Sequence, residues 1–487
     1  MATPEHPTGY VADTSYPDRF HRELSPAWLN YVASVTGGAA PRRIDEPFSY
    51  LDLGSGLTRS TIVNAAAFPQ AEFHACDFNP THIQTAERYQ ARLGIANLRL
   101  HQARFEELLD QDLPRFDFIV LHGVYSWVDS AARAAIRRII ARRLKDGGIV
   151  YVSYNCLPGW SAEAPLRKLL VELARTEDGS HDQRAKNAAG VLRRFAGGGF
   201  KYAQENPSVN DAIKSIAEAS GDYLAHEYLN DTWALYYSVD VADDMADAGL
   251  RYVGSASLPH NHPVLTLDKR AAEVIAGLPG PRLQQLVADY ACNQRFRRDV
   301  FVSVGAPRPD PRSAADTLDR FVVGCADEPD QIVAEVAIPR GKISFNDDFI
   351  RALRSVMADG PASLGEIARH LGGQGRSVVE IKQNLIFLVA SGALMPFAKT
   401  LPNARAPRLA RIASETVERA LELIIETDAA AVVPCACAGN GVPISVAEAR
   451  AALDWRDGTG PAGAGPPARL VRLGLISRPS RDRSFQL

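Results

Sequence analysis

Residues 49–60 read Ser-Tyr-Leu-Asp-Leu-Gly-Ser-Gly-Leu-Thr-Arg-Ser, or SYLDLGSGLTRS. Large apolar residues alternate up to Leu53, which marks a strand. Gly54 and Gly56 then let the backbone turn sharply with no side chain above it. A helix beginning near Ser60 aims its free N–H groups into the same space. Strand, glycine turn and helix in this order form the nucleotide end of a doubly wound α/β sheet. A second strand pattern, AEFHACD, ends at Asp77, 23 residues after Gly54. Such sheets place their ribose-binding carboxylate at about that position. Phe78 beside it offers a flat face to adenine and would serve equally as core.

The cofactor follows from what the turn lacks. A dinucleotide fingerprint G-x-G-x-x-G needs a third glycine at position 59, where this chain has Arg59. S-adenosylmethionine (SAM) carries a sulfonium and no phosphate, so an acid before the first glycine suits it. Asp52 is that acid.

Further strand and helix patterns alternate as far as GGIVYVSYN, which calls for a mostly parallel sheet with right-handed crossovers. Ligands gather at the carboxyl ends of such strands. Gly54, Gly56, Asp77, Arg104, Phe105, His122, Tyr125, Trp127, Tyr154 and Asn155 all fall there. LRYVGSASL and RRDVFVSVG supply the last two strands.

Four runs together, Asp52-x-Gly54-x-Gly56, DFNPTH (77–82), LHGVYSWV (121–128) and YVSYNCLPGW (151–160), resemble the class I SAM-dependent methyltransferases that carry a methyltransferase regulatory domain. That group includes bacterial protein lysine methyltransferases. The resemblance continues through residues 226–258 and 296–302, covering about the first 310 residues. It implies a seven-stranded sheet with a helical insertion, SAM as cofactor, and a lysine side chain of a protein as methyl acceptor. Cofactor contacts are expected from Asp52, Gly54, Gly56, Asp77, Phe78, Phe105 and His122. Two departures stand out. Thr58 replaces a further glycine of the family motif, and Arg104 occupies a place where the class often has an acid near the adenine amine. Adenine must then be read by backbone groups or by Glu106 or Glu107.

Composition narrows the alternatives. With 487 residues the chain exceeds a single core. A net charge of −3 gives no basic field for nucleic acid. No signal-like start and no long apolar run occur, so a soluble cytoplasmic protein without membrane insertion is expected. Six scattered cysteines read as reduced thiols, and neither Cys435-Ala-Cys437 nor His260-Asn-His262 has the spacing of a metal site. No metal is expected.

Residues 1–48 read as an N-terminal helical cap in which Tyr10 or Tyr16 closes the site. Residues 49–310 form the methyltransferase domain, with helices at about 177–237 inserted as a substrate lid or as extra core. APRPDPRS (306–313) reads as a linker, and residues 311–487 as an α+β interaction domain resembling a winged helix. Its third helix is apolar rather than basic, which favours contact with protein, a partner or a second copy, over DNA.

Methyl transfer needs an acceptor lone pair held in line with the departing sulfur. For lysine, Tyr125, Trp127, Tyr154 and Trp160 are expected to line an apolar channel that disfavours the ammonium. Asn155 orients an N–H, and His122 acts as base or cofactor contact. Two alternatives stand beside the N-methyltransferase reading: an O-methyltransferase for a sugar or other small molecule with His122 as base, and a non-catalytic SAM-binding regulator.

Overall fold

The computed structural model describes residues 19–195, 199–373, 377–401, 412–457, 459 and 466–476. Tyr10 and Tyr16 lie outside them, as does most of the glycine- and proline-rich stretch after Asp457.

Seven strands form one sheet: β1 (Ser49–Leu53), β2 (Glu72–Asp77), β3 (Leu98–Gln102), β4 (Phe116–Leu121), β5 (Leu144–Asn155), β6 (Leu250–Ser255) and β7 (Phe296–Ser303). Their spatial order is β3-β2-β1-β4-β5-β7-β6. β7 runs antiparallel to both β5 and β6, and the other pairings are parallel. The chain order reverses between β1 and β4, so a crevice opens there at the carboxyl ends of the strands. This is the mostly parallel α/β sheet expected, with its last two strands contributed by the two predicted segments.

β1 is buried throughout, and β4 likewise, because helices cover both faces. One face carries Tyr50, Phe73, Phe118, Tyr151 and Val300. The other carries Leu51, Leu53, Leu121, Val152 and Tyr154. Between β5 and β6 run the helices Ala164–Arg175, His181–Phe195, Lys201–Glu205, Ser208–Glu218, Gly221–Tyr228 and Ser238–Asp247.

The N-terminal cap contains the helix Pro26–Val35, which Pro26 starts as its first residue, with Ser25 Oγ accepting from the Ala27 N–H as cap. Within 306–313 only Ala306 is buried, residues 307–310 form neither helix nor strand, and Asp310 caps a helix at Pro311–Arg320.

Residues beyond 320 supply helices Asp347–Ala358, Leu364–Gly372 and Val378–Ser391 and a small sheet of Val322–Gly324, Ala362–Ser363 and Met395–Phe397. Helix, turn, helix, helix and strand thus follow in the predicted order. The apolar Val378–Ser391 helix does meet protein, but the protein is this chain. Its Ile381, Leu385 and Val389 belong to the same continuous core as Tyr50 and Phe118 of the sheet. A hairpin of Ala431–Cys435 and Asn440–Ile444 joins that core too, through Val433, Val442 and Ile444.

Candidate functional site

The turn after β1 is held from below: the N–H groups of Gly54 and Ser55 both donate to the Cys76 carbonyl, at 2.8 and 3.0 Å. Gly54 has φ +73°, and a Cβ there would lie 2.5 Å from Val124 Cγ2, so only glycine fits. Gly56 also has positive φ and donates its N–H to Asp77 Oδ2 at 2.8 Å. Thr58, where the family motif has glycine, adopts φ 59° and ψ 15°. A β-branched residue pays roughly 1–2 kcal/mol for this left-handed geometry. Its hydroxyl lies 2.9 Å from Ser55 Oγ. Arg59 swings aside and stacks on Tyr89, its guanidinium 3.6 Å from the ring centroid.

Asp77 is buried, and Oδ1 accepts from the Asn79 N–H at 2.9 Å and faces His82 Nδ1 at 3.2 Å. With Gly56 on Oδ2, three of about four acceptor positions are taken. One acceptor position remains there for a ribose hydroxyl. Asp52 is buried as well and accepts from Thr61 Oγ1 at 2.5 Å. Burial, with the nearby Asp77 charge, pushes its carboxyl up to about 7. A cation brought to this carboxyl would favour its ionised form.

Two recesses meet at Gly54. Phe78, Phe105, Trp127, Val128 and Arg104 line the first, which is mainly apolar, with Glu106 and Asp129 at its edge. Glu107 is engaged by the Arg104 N–H at 2.8 Å, and Glu106 and Asp129 are the carboxylates that line the recess. Arg19, His21, Ser55, Thr58, Arg59, Ser60 and His122 line the second recess together with Asp52. Donors predominate in it.

The aromatic channel expected from sequence is not assembled. Trp127 lines the apolar recess. Tyr125 is fully buried with its hydroxyl donating to Asp244 Oδ2 at 2.6 Å, and Tyr154 donates to Asp299 Oδ2 at 2.6 Å on the opposite sheet face from Tyr151. Trp160 packs edge-on against Trp233 within the inserted helices, under the guanidinium of Arg295. Asn155 is buried, donates its backbone N–H to Ser126 Oγ, and leaves its side-chain Nδ2 without a partner. His122 alone of the five expected catalytic residues reaches the donor-rich recess.

Residues missed from sequence complete it. His21 stacks on His122 with ring centroids 3.9 Å apart, and Tyr151 Oη lies 2.8 Å from His122 Nδ1. The strap bearing His21 is pinned from both sides. Its N–H donates to Ser60 Oγ, the Leu24 carbonyl accepts from Tyr50 Oη at 3.0 Å, and the Arg22 carbonyl accepts from Asn440 Nδ2. Ser25 Oγ donates to the Gly439 carbonyl at 2.5 Å. A larger cavity of about 1010 Å³ begins where Arg19 and His21 leave this recess. It runs between the strap, Arg298 of β7 and the part of the chain beyond residue 324.

Residues 44–197 match the family model of a methyltransferase domain, and residues 220–303 that of a predicted methyltransferase regulatory domain. The uncharacterized protein sll1526 of Synechocystis sp. is 32% identical over 388 residues, spanning 80% of this chain and 76% of that one. The chain belongs to the class I SAM-dependent methyltransferases with a regulatory domain. Its fold is shared by PKMT2 from Rickettsia typhi in complex with AdoHcy, at 20% identity and a TM-score of 0.67 over 90% of this chain and 87% of that one. A second structure of PKMT2 gives 17% identity and a TM-score of 0.70, with 95% and 100% covered. Among the described residues of the methyltransferase, no helix is long and apolar enough to cross a membrane, and no cluster of ligating side chains is placed to hold a metal.

The residues fit SAM. The apolar recess takes a flat base, Asp77 has one acceptor position left beside it, Asp52 suits a cation, and the donor-rich recess suits the carboxylate of the methionine end.

Proposed function

We propose that this methyltransferase acts on an amine of a polypeptide, a lysine side chain, presented through the cavity of about 1010 Å³. The observation that carries the reading is adjacency: Arg19 and His21 line both the donor-rich recess and this cavity. The volume is at the upper end of small-molecule pockets and accommodates a side chain with flanking residues. The resemblance to bacterial protein lysine methyltransferases points the same way.

SAM, when bound, supplies an electrophilic methyl group on a sulfonium. Phe78, Phe105 and Trp127 hold the base, Asp77 the ribose, and the strap and His122 the amino-acid end. Glu23, Asp327, Glu328 and Glu335 line the cavity together with Arg19, Arg22 and Arg298. A lysine ammonium brought close to the arginines is driven to shed its proton. The neutral nitrogen then offers the lone pair that forms the new N–C bond as the S–C bond breaks.

Methyl-labelled SAM incubated with lysate fractions separated by size tests this. Label on polypeptides, recovered as methyl-lysine after hydrolysis, is the expected result. Label confined to low-mass compounds would overturn it.

A further inference from the structure

His122 is the one polar side chain at the end of β4 that faces the donor-rich recess, and its neighbours decide what it can do there. Nδ1 lies 2.8 Å from the hydroxyl of Tyr151, which β5 presents from the adjacent strand. Tyr151 is fully buried, and that burial holds its hydroxyl protonated at every working pH. In a phenol–imidazole pair the imidazole nitrogen is the stronger base, so the bond runs from O–H to Nδ1. A neutral imidazole carries one N–H; with Nδ1 accepting, the proton sits on Nε2.

We propose that Tyr151 is a positioning residue that locks His122 in its Nε2–H form, so that His122 donates a hydrogen bond to the amino-acid carboxylate of the methyl donor and takes no acceptor proton. This rests on the SAM assignment and deepens it.

The surroundings keep His122 neutral. From the strap His21 stacks on it, from β7 Arg298 adds positive charge, and burial adds a larger effect; together they hold the imidazolium well below its ordinary range. Arg19, Arg59 and Asp52 line the same recess, and Glu23 acts on Tyr151 from the strap. An imidazole so biased is a poor base for an ammonium or a hydroxyl. It is a good fixed donor. Arg19, Ser55, Thr58 and Ser60 line the recess with it, and Asp52 is the acid among them. A group rich in acceptors, a carboxylate, complements that set.

The test reads the tautomer directly. In the full chain labelled with 15N-histidine and without ligand, His122 should show an unprotonated Nδ1 and a protonated Nε2, unchanged between pH 6 and 8. A protonated Nδ1, or a midpoint within that range, overturns the proposal whether or not SAM binds. With calorimetry, Tyr151→Phe should weaken SAM by about fivefold and His122→Ala by about tenfold, while His122→Gln, whose amide N–H can donate, retains most of the affinity. Equal losses in His122→Gln and His122→Ala would overturn it as well. Absence of SAM binding in the parent chain would instead refute the cofactor assignment and leave the tautomer result standing.

Discussion

The two recesses beside Gly54 are built in opposite ways. Every residue of the apolar one lies between Gly54 and Ala132, in the turns that follow β1 to β4 or in the first turn of the next helix. The donor-rich one combines the glycine turn and His122 with Arg19 and His21, whose strap is fastened by a hairpin more than 400 residues further on. On the proposed reading, adenine would be held by local strand ends, whereas the methyl-donor end would depend on closure of the whole chain.

Asp77 holds the Gly56 N–H of the glycine turn and the Asn79 N–H after β2, so its loss should have the largest effect. Asp77→Ala removes the acceptor for Gly56 and Asn79 as well as for the ribose. SAM affinity should fall about 30- to 100-fold by calorimetry, with a lower melting temperature. Unchanged affinity would break the assignment of the crevice.

The next pair separates the recesses. A Cβ on Gly441 would sit 2.2 Å from Val432 of the hairpin, 2.7 Å from Val63 and 2.9 Å from Phe20 of the strap. Gly441→Ala should therefore weaken SAM about tenfold yet leave adenosine, which fills the apolar recess alone, nearly unaffected. Trp127→Ala should weaken adenosine and SAM alike, by about fivefold. Parallel behaviour of the two variants towards adenosine would show that the recesses are not independent.

The smallest effect is expected at Thr58. Thr58→Gly relieves the left-handed strain but loses the contact with Ser55 Oγ, so thermal scanning should show a rise of about 1–2 °C. SAM affinity should stay within about twofold. A marked fall in melting temperature would mean that the hydroxyl pair outweighs the strain.

The same contrast explains what could be read from sequence. Gly54, Gly56, Asp77, Phe78 and Phe105 were legible because turn chemistry and strand spacing are local. Tyr151 and Tyr154 were not distinguishable, since β5 is buried on both faces and alternation does not say which face meets the site. Tyr154 belongs to the side away from His122, with its hydroxyl engaged by Asp299. Trp127 lies at the strand end that the sequence indicates and lines the apolar recess, apart from Tyr125 and Tyr154. His21 carried no sequence signal, because nothing near it specifies that residues around 440 will hold it against His122. The fused core likewise escaped notice: an apolar helix announces that it will be covered, not by what.

Ser25 and Gly439 are 414 residues apart in the chain. A ribosome adding roughly 5–20 residues per second needs on the order of 20 to 80 s to travel between them. Through that interval the seven-stranded sheet can already be present, yet the strap has nothing to clasp it and His21 has no fixed place. A product cut short before residue 439 lacks the partners of Ser25 and Arg22, and SAM binding weaker than that of the full chain is its expected property in calorimetry.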